Sequence, residues 1–147
     1  MSKEHFATVL GDLSHAGVYQ LPQQGISDLR AAAKDSGLAQ FRVRLEGVRT
    51  KEGFLLAVSH ALGFPEWFGH NWDALEDCLT DMSWQPAEGY LVILSRAEDF
   101  RVAQEEEFAM ALRIFDAAAD FWREEGLPFW TLVDLHADGM THLPQMP

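Results

Sequence analysis

The chain has 147 residues, enough for one domain with a sizeable core, and 48% of them are hydrophobic, which excludes disorder on composition. Its 23 acidic against 11 basic side chains give a formal net charge of −12. Such a charge argues against direct contact with a nucleic-acid backbone or an anionic membrane and suits a basic protein partner, although acidity also serves plain solubility. The single cysteine excludes an internal disulfide, and no apolar run has the length of a membrane span. The opening residues lack the apolar core of a secretory signal, so the expected compartment is the cytoplasm.

Residues 1–16 mix polar and apolar side chains and are compatible with a short helix. Gly17 to Leu21 reads as a short strand ended by Pro22. Ser27 is placed to cap a helix through Ser36, with Asp28 in its first turn, Lys34 in its last and Gly37 just beyond. From Phe41 to Glu46 apolar and polar residues alternate, the period of a strand with one exposed face. Thr50 can cap a second helix to about Leu62, burying Phe54, Leu55, Val58 and Leu62.

The stretch Phe64 to Trp84, FPEWFGHNWDALEDCLTDMSW, holds three of the five tryptophans, the only cysteine and a dense set of acids. Pro65 and Gly69 punctuate a loop. Asn71 can cap a helix from Trp72 to Met82, whose Leu75, Cys78, Leu79 and Met82 form a core stripe. Asp73, Glu76, Asp77 and Thr80 fall on the other side. Like charges four residues apart, as Asp73 and Asp77 are, cost a helix a few tenths of a kcal/mol, a cost that a cationic partner would remove.

After a turn over Pro86–Gly89, Tyr90 to Leu94 is a continuous apolar run, the pattern of a strand covered on both faces. A long helix spans about Gln104 to Glu125, with Phe108, Leu112, Phe115, Ala119 and Trp122 on one stripe, and Gly126 and Pro128 end it. Phe129 to Val133 is the last strand, and the tail from His136 onward is expected to be loose. Strands alternating with helices predict an α/β fold: a small parallel sheet of three to four strands flanked by helices, joined by right-handed crossovers. The fourth strand would come from the N-terminal segment.

The ungapped run from Leu62 to Thr80, with its Pro-Glu pair, two aromatics, Gly, Asn, Asp-Ala-Leu and Asp-Cys-Leu-Thr, resembles the signature of the barstar family, the intracellular inhibitors of barnase-type ribonucleases. A looser likeness extends from about Phe41 to Leu135, leaving residues 1–40 as an extension that adds a βα unit and 136–147 as a tail of one barstar-like domain. The resemblance implies that Asp77 enters a nuclease's phosphate pocket, that Asp73 makes a second acidic contact, and that Trp67 packs on its catalytic histidine. It also implies peripheral polar contacts from Asn71 and Thr80. Glu76 stands on the same face where the family's best-known member has tryptophan, and Asp81 and Met82 replace a glycine–tryptophan pair, with Trp84 as an aromatic nearby. The family's other acidic contact, on the long helix that follows, does not align here, because Asp120 and Phe121 fall at that place. These departures point to a retuned or different target.

The residues themselves leave other readings open. A charge cluster is most often a solvated helix face, and aromatics beside a helix start often plug the core, as expected here for Phe68 and Trp72. His70, Asp73 and Asp77 invite a metal, but no second His or Cys stands at ligand spacing, and His136 and His142 lie in the tail. A catalytic carboxylate pair would need to flank a cleft, which one convex helix face does not provide. The reading is therefore a non-enzyme without metal or other cofactor. Its partner is a basic, barnase-like endoribonuclease rather than nucleic acid or membrane. The alternative is a non-inhibitory binding module of the same fold with a different basic partner.

Overall fold

Strands buried on both faces read as mostly apolar runs, and two runs fit that pattern: Tyr90–Ser95 and Phe129–Val133 are buried at every position, with Ser95 and Thr131 their buried polar residues. The computed structural model describes residues 2–135 and 143–147. In chain order the main elements are α1 (Lys3–Leu10), β1 (Val18–Gln20), α2 (Ile26–Asp35), β2 (Ala39–Arg44), α3 (Lys51–Leu62), α4 (Trp72–Leu79), β3 (Tyr90–Ser95), α5 (Glu98–Ala103), α6 (Glu105–Glu124) and β4 (Phe129–Val133). The four strands form one parallel sheet in the order β1-β4-β3-β2. The N-terminal segment supplies the fourth strand, as expected, and it lies beside β4 rather than beside β2.

Parallel strands need crossover connections, and here helices provide them on both sides of the sheet. The register sets Phe41 beside Val92 and Val92 beside Thr131, so side chains alternate in step across the strands. Phe41, Val43, Tyr90, Val92, Leu94, Phe129 and Val133 enter one core with α3, α4, α5 and α6. Leu91, Ile93, Trp130 and Leu132 enter a second core with Phe6 and Leu10 of α1 and with Leu29, Ala32 and Ala33 of α2. Trp130 is fully buried there, and its indole N–H donates to the Leu10 carbonyl at 3.0 Å. A buried indole without that partner would leave a polar group unsatisfied.

Four local expectations need correction. The α2 helix starts at Ile26 on Gly25, whose φ of 79° suits glycine and which makes no side-chain cap, so Ser27 lies inside the helix instead of capping it. The α4 helix stops at Leu79, and Met82 follows with φ 51° and a buried side chain. That positive φ turns Met82 back onto the core without continuing the helix. The short α5 is absent from the sequence reading, since six residues carry too little periodicity to read. In the tail, residues 143–147 are docked rather than loose: Met146 is buried in the second core, and Gln145 bridges to Gln20. His136 and the residues to His142 lie outside the described residues.

Candidate protein-binding site

Each part of the loop and α4 is held by an identifiable interaction. Gly63 ends α3 with φ 66°, a left-handed cap that glycine adopts without strain. The loop then anchors inward through Phe68, which is buried against Phe64 at 5.0 Å and His70 at 4.8 Å between ring centres. Next to it Trp67 points outward, 59% exposed. Asn71 caps α4: its Oδ1 accepts from the Ala74 N–H at 2.7 Å. Such a cap stabilises a helix by about 1 kcal/mol.

The inward face of α4 carries Leu75, Cys78 and Leu79, all buried. Burial, then Asp81 and Asp77, pushes the Cys78 thiol up to about 11, so it stays protonated and unreactive in the fold. Asp73, Glu76 and Asp77 are exposed on the outward side with Asn71, while Thr80 is half-buried. The Thr80 hydroxyl donates to the Glu76 carbonyl at 2.8 Å, which leaves its oxygen free only as an acceptor. The structure thus brings Asn71, Asp73, Glu76, Asp77 and Thr80 onto one short helix and its caps, with Trp67 on the loop before it.

This face is electrostatically costly to its own helix. Asp73 sits in the first turn, where the helix dipole favours an anion. Glu76 and Asp77 stand nearer the carboxyl end, where it does not, and the last turn has no basic residue. Among the described residues, no basic side chain lies within ion-pair distance of Asp73, Glu76 or Asp77. Nor, among the described residues, do three or more His, Cys, Asp or Glu converge to hold a metal ion.

Several supporting residues escaped the sequence reading. The Trp72 indole N–H donates to Glu107 Oε2 of α6 at 3.0 Å, and its ring lies 6.0 Å from that of Phe54. At the other end of α4, the Trp122 indole N–H donates to the Leu79 carbonyl at 2.8 Å, satisfying a free carbonyl of the last turn. Trp84 is not a free aromatic on the rim. It is half-buried, donates to the Leu62 carbonyl at 3.1 Å, and packs edge-on against Phe64 at 5.9 Å. Between α4 and α6 lies an open hollow of about 410 Å³, lined by Lys51, Asn71, Trp72, Asp73, Glu76, Met110 and Ile114. Lys51 Nζ sits 5.2 Å from the Trp72 ring centre, a cation–π distance that places one positive charge beside the acids. Only the pairing of long side chains across α3, α4 and α6 could have revealed these links.

Fold and site together define a class: a small parallel α/β protein whose acidic helix lies outside the sheet, braced at both ends by tryptophan hydrogen bonds. The family model described as Barstar (barnase inhibitor) matches residues 38–134. The chain belongs to the barstar family, a family of protein inhibitors. No curated protein matches the chain. Among solved structures it is similar to the ORC2 protein of Aeropyrum pernix in its ADPNP–ADP complexes, with a TM-score of 0.55 and 18% identity. That similarity covers 90% of this chain but only 39% of the other. It shows shared architecture and nothing about activity.

Proposed function

We propose that the chain inhibits a basic, barnase-type ribonuclease by laying the outward face of α4 across the enzyme's cationic active site. A site that holds RNA phosphate is lined with cationic side chains, and a rigid helix presenting Asp73, Glu76 and Asp77 offers carboxylates to that lining. Trp67 anchors the contact as an exposed aromatic of the hot-spot kind, and Asn71 and Thr80 add polar contacts at its margin. The observation that carries the reading is the cluster of exposed carboxylates on α4, with no ion-pair partner among the described residues. A cationic partner surface would lift the repulsion these acids impose on the helix. The charge of −12 would also speed encounter with a basic enzyme. The proposed setting is the cytoplasm, where the lone Cys78 stays reduced.

Inhibition assays against a panel of basic ribonucleases test the reading. Asp77→Ala should weaken binding by about 2–5 kcal/mol, the range for truncating one partner of a buried charge pair. A loss below about 0.5 kcal/mol, the level of an ordinary surface substitution, favours the second reading: a module of the same fold that binds a different basic partner without inhibiting it. Glu76 in place of the family's tryptophan and the inward turn of Met82 and Trp84 favour that alternative, because they remove aromatic surface from the rim.

A further inference from the structure

The sheet has two edges, and the chain treats them in opposite ways. Along β1, the Gln20 N–H donates to the Pro144 carbonyl at 2.9 Å and Gln20 Nε2 to the Leu143 carbonyl at 2.7 Å. Gln20 and Gln145 form a parallel bridge beyond them. The chain's own C-terminal residues therefore occupy that edge.

Among the described residues the edge along β2 stays open, since β2 pairs there with β3 alone. The Ala39 and Leu45 N–H groups donate inward to Gly89 and Ser95, each at 2.9 Å. Parallel strands turn alternate residues the same way, so Gln40, Arg42 and Arg44 direct their backbone N–H and C=O groups outward. Among the described residues, no backbone group outside the sheet bonds to these three.

The same three residues share a face, because Phe41, Val43 and Leu45 enter the main core. Arg42 and Arg44 are exposed, and among the described residues no carboxylate lies within ion-pair distance of either. Among the described residues, the side-chain partner of the Arg42 guanidinium is Ser95 Oγ, at 3.3 Å. Arg30 stands on α2 beside this edge, with its carbonyl accepting from Gln40 Nε2 at 3.0 Å. A local cationic strip thus runs along a free strand in a protein whose net charge is −12.

Charges on an edge strand guard against self-pairing, since two copies of this edge would set arginine against arginine. They also select what can pair. We propose that the β2 edge accepts an extended acidic segment of a partner protein as a fifth strand of this four-stranded sheet, with Asp or Glu at alternate positions facing Arg42 and Arg44. The main-chain bonds supply the seating, and the arginines supply the choice of an acidic over a basic segment. Single-stranded RNA fits less well, because phosphates can accept from the outward N–H groups but donate nothing to the outward carbonyls. This edge contains no α4 residue, so the proposal stands apart from the ribonuclease reading.

The test is fluorescence anisotropy with the full chain and a labelled peptide alternating Glu and Thr. The peptide should bind, and its Lys–Thr counterpart should not. N-methylation at every peptide position should abolish binding, since it removes the ladder donors in either strand direction while keeping the charge. The double change R42E/R44E should weaken binding about tenfold or more, the scale of two exposed ion pairs reversed, with thermal melting to confirm that it folds. Should it not fold, the N-methylated peptide still decides. Asp77→Ala should leave peptide affinity unchanged, which separates this site from the one on α4. No binding, equal binding of the N-methylated peptide, or equally strong competition by oligouridylate would overturn the proposal, the last two by showing a plain polyanion patch.

Discussion

The two sides of the sheet follow opposite local logic. On the side of α1 and α2, the core positions agree with one another: Phe6, Leu10, Leu29 and Trp130 are fully buried, and the one indole N–H among them has its carbonyl. On the side of α4, the inward stripe obeys the same rule, while the outward stripe works against its own helix. Acids crowd its last turn without a basic residue to answer them. Regions that break local rules without internal compensation are where function is expected. The contrast therefore separates what holds the fold from the face proposed to meet a partner.

The strongest way to break the contrast is Trp130→Ala, which should cost about 3–5 kcal/mol of stability in urea unfolding. A cost below about 1 kcal/mol, the usual effect of a point change, would mean that the layer of α1 and α2 is an ornament on the sheet instead of part of its core. Next comes Asn71→Ala, which should remove about 1 kcal/mol by uncapping α4 and also weaken nuclease binding by loosening the first turn. Unchanged affinity would show that the helix start lies outside the contact.

Asp77→Ala sharpens the contrast because stability and binding should move in opposite directions. Removing this carboxylate relieves its repulsion with Asp73 and its poor placement near the carboxyl end of α4. The melting temperature should hold or rise, by the equivalent of a few tenths of a kcal/mol. A clear drop would make Asp77 a structural residue.

The smallest effect concerns Asp116 on α6, which lines a hollow with Gly17 and Tyr19. Asp116 is surface-exposed, and partial desolvation, then Asp120, raises its carboxyl above the ordinary 3.8, with Arg123 opposing. An acid with a raised folded pKa holds its proton more tightly when folded, so its contribution to stability is present at low pH and is lost as pH rises through the raised value. Asp116→Asn should thus gain a few tenths of a kcal/mol at neutral pH. That gain should fade as the pH falls toward 3.8. A gain that persists at low pH would point to a cause other than charge.

Much of this architecture was legible in the chain. The alternation over Phe41–Glu46 marked β2, the unbroken apolar runs marked β3 and β4, and Thr50 and Asn71 each cap the helix that follows by accepting from the third residue on. The acidic face of α4 was legible too, because residues three and four apart must share a side of a helix. Less legible were α5, the start of α2 on Gly25 and the early end of α4, where short segments leave propensity too weak to resist packing.

What the sequence by itself determined was local: which segments are strands or helices, which stripe of each is apolar, and where acids gather. Those properties depend on residues a few positions apart. Tertiary structure alone decided that β1 lies against β4, that residues 143–147 close one sheet edge while Arg42 and Arg44 line the open one, and that Trp72, Trp84 and Trp122 spend their N–H groups bracing the loop and α4. These pairings join residues far apart in the chain. They form because a buried polar group must find a partner wherever the folded backbone offers one.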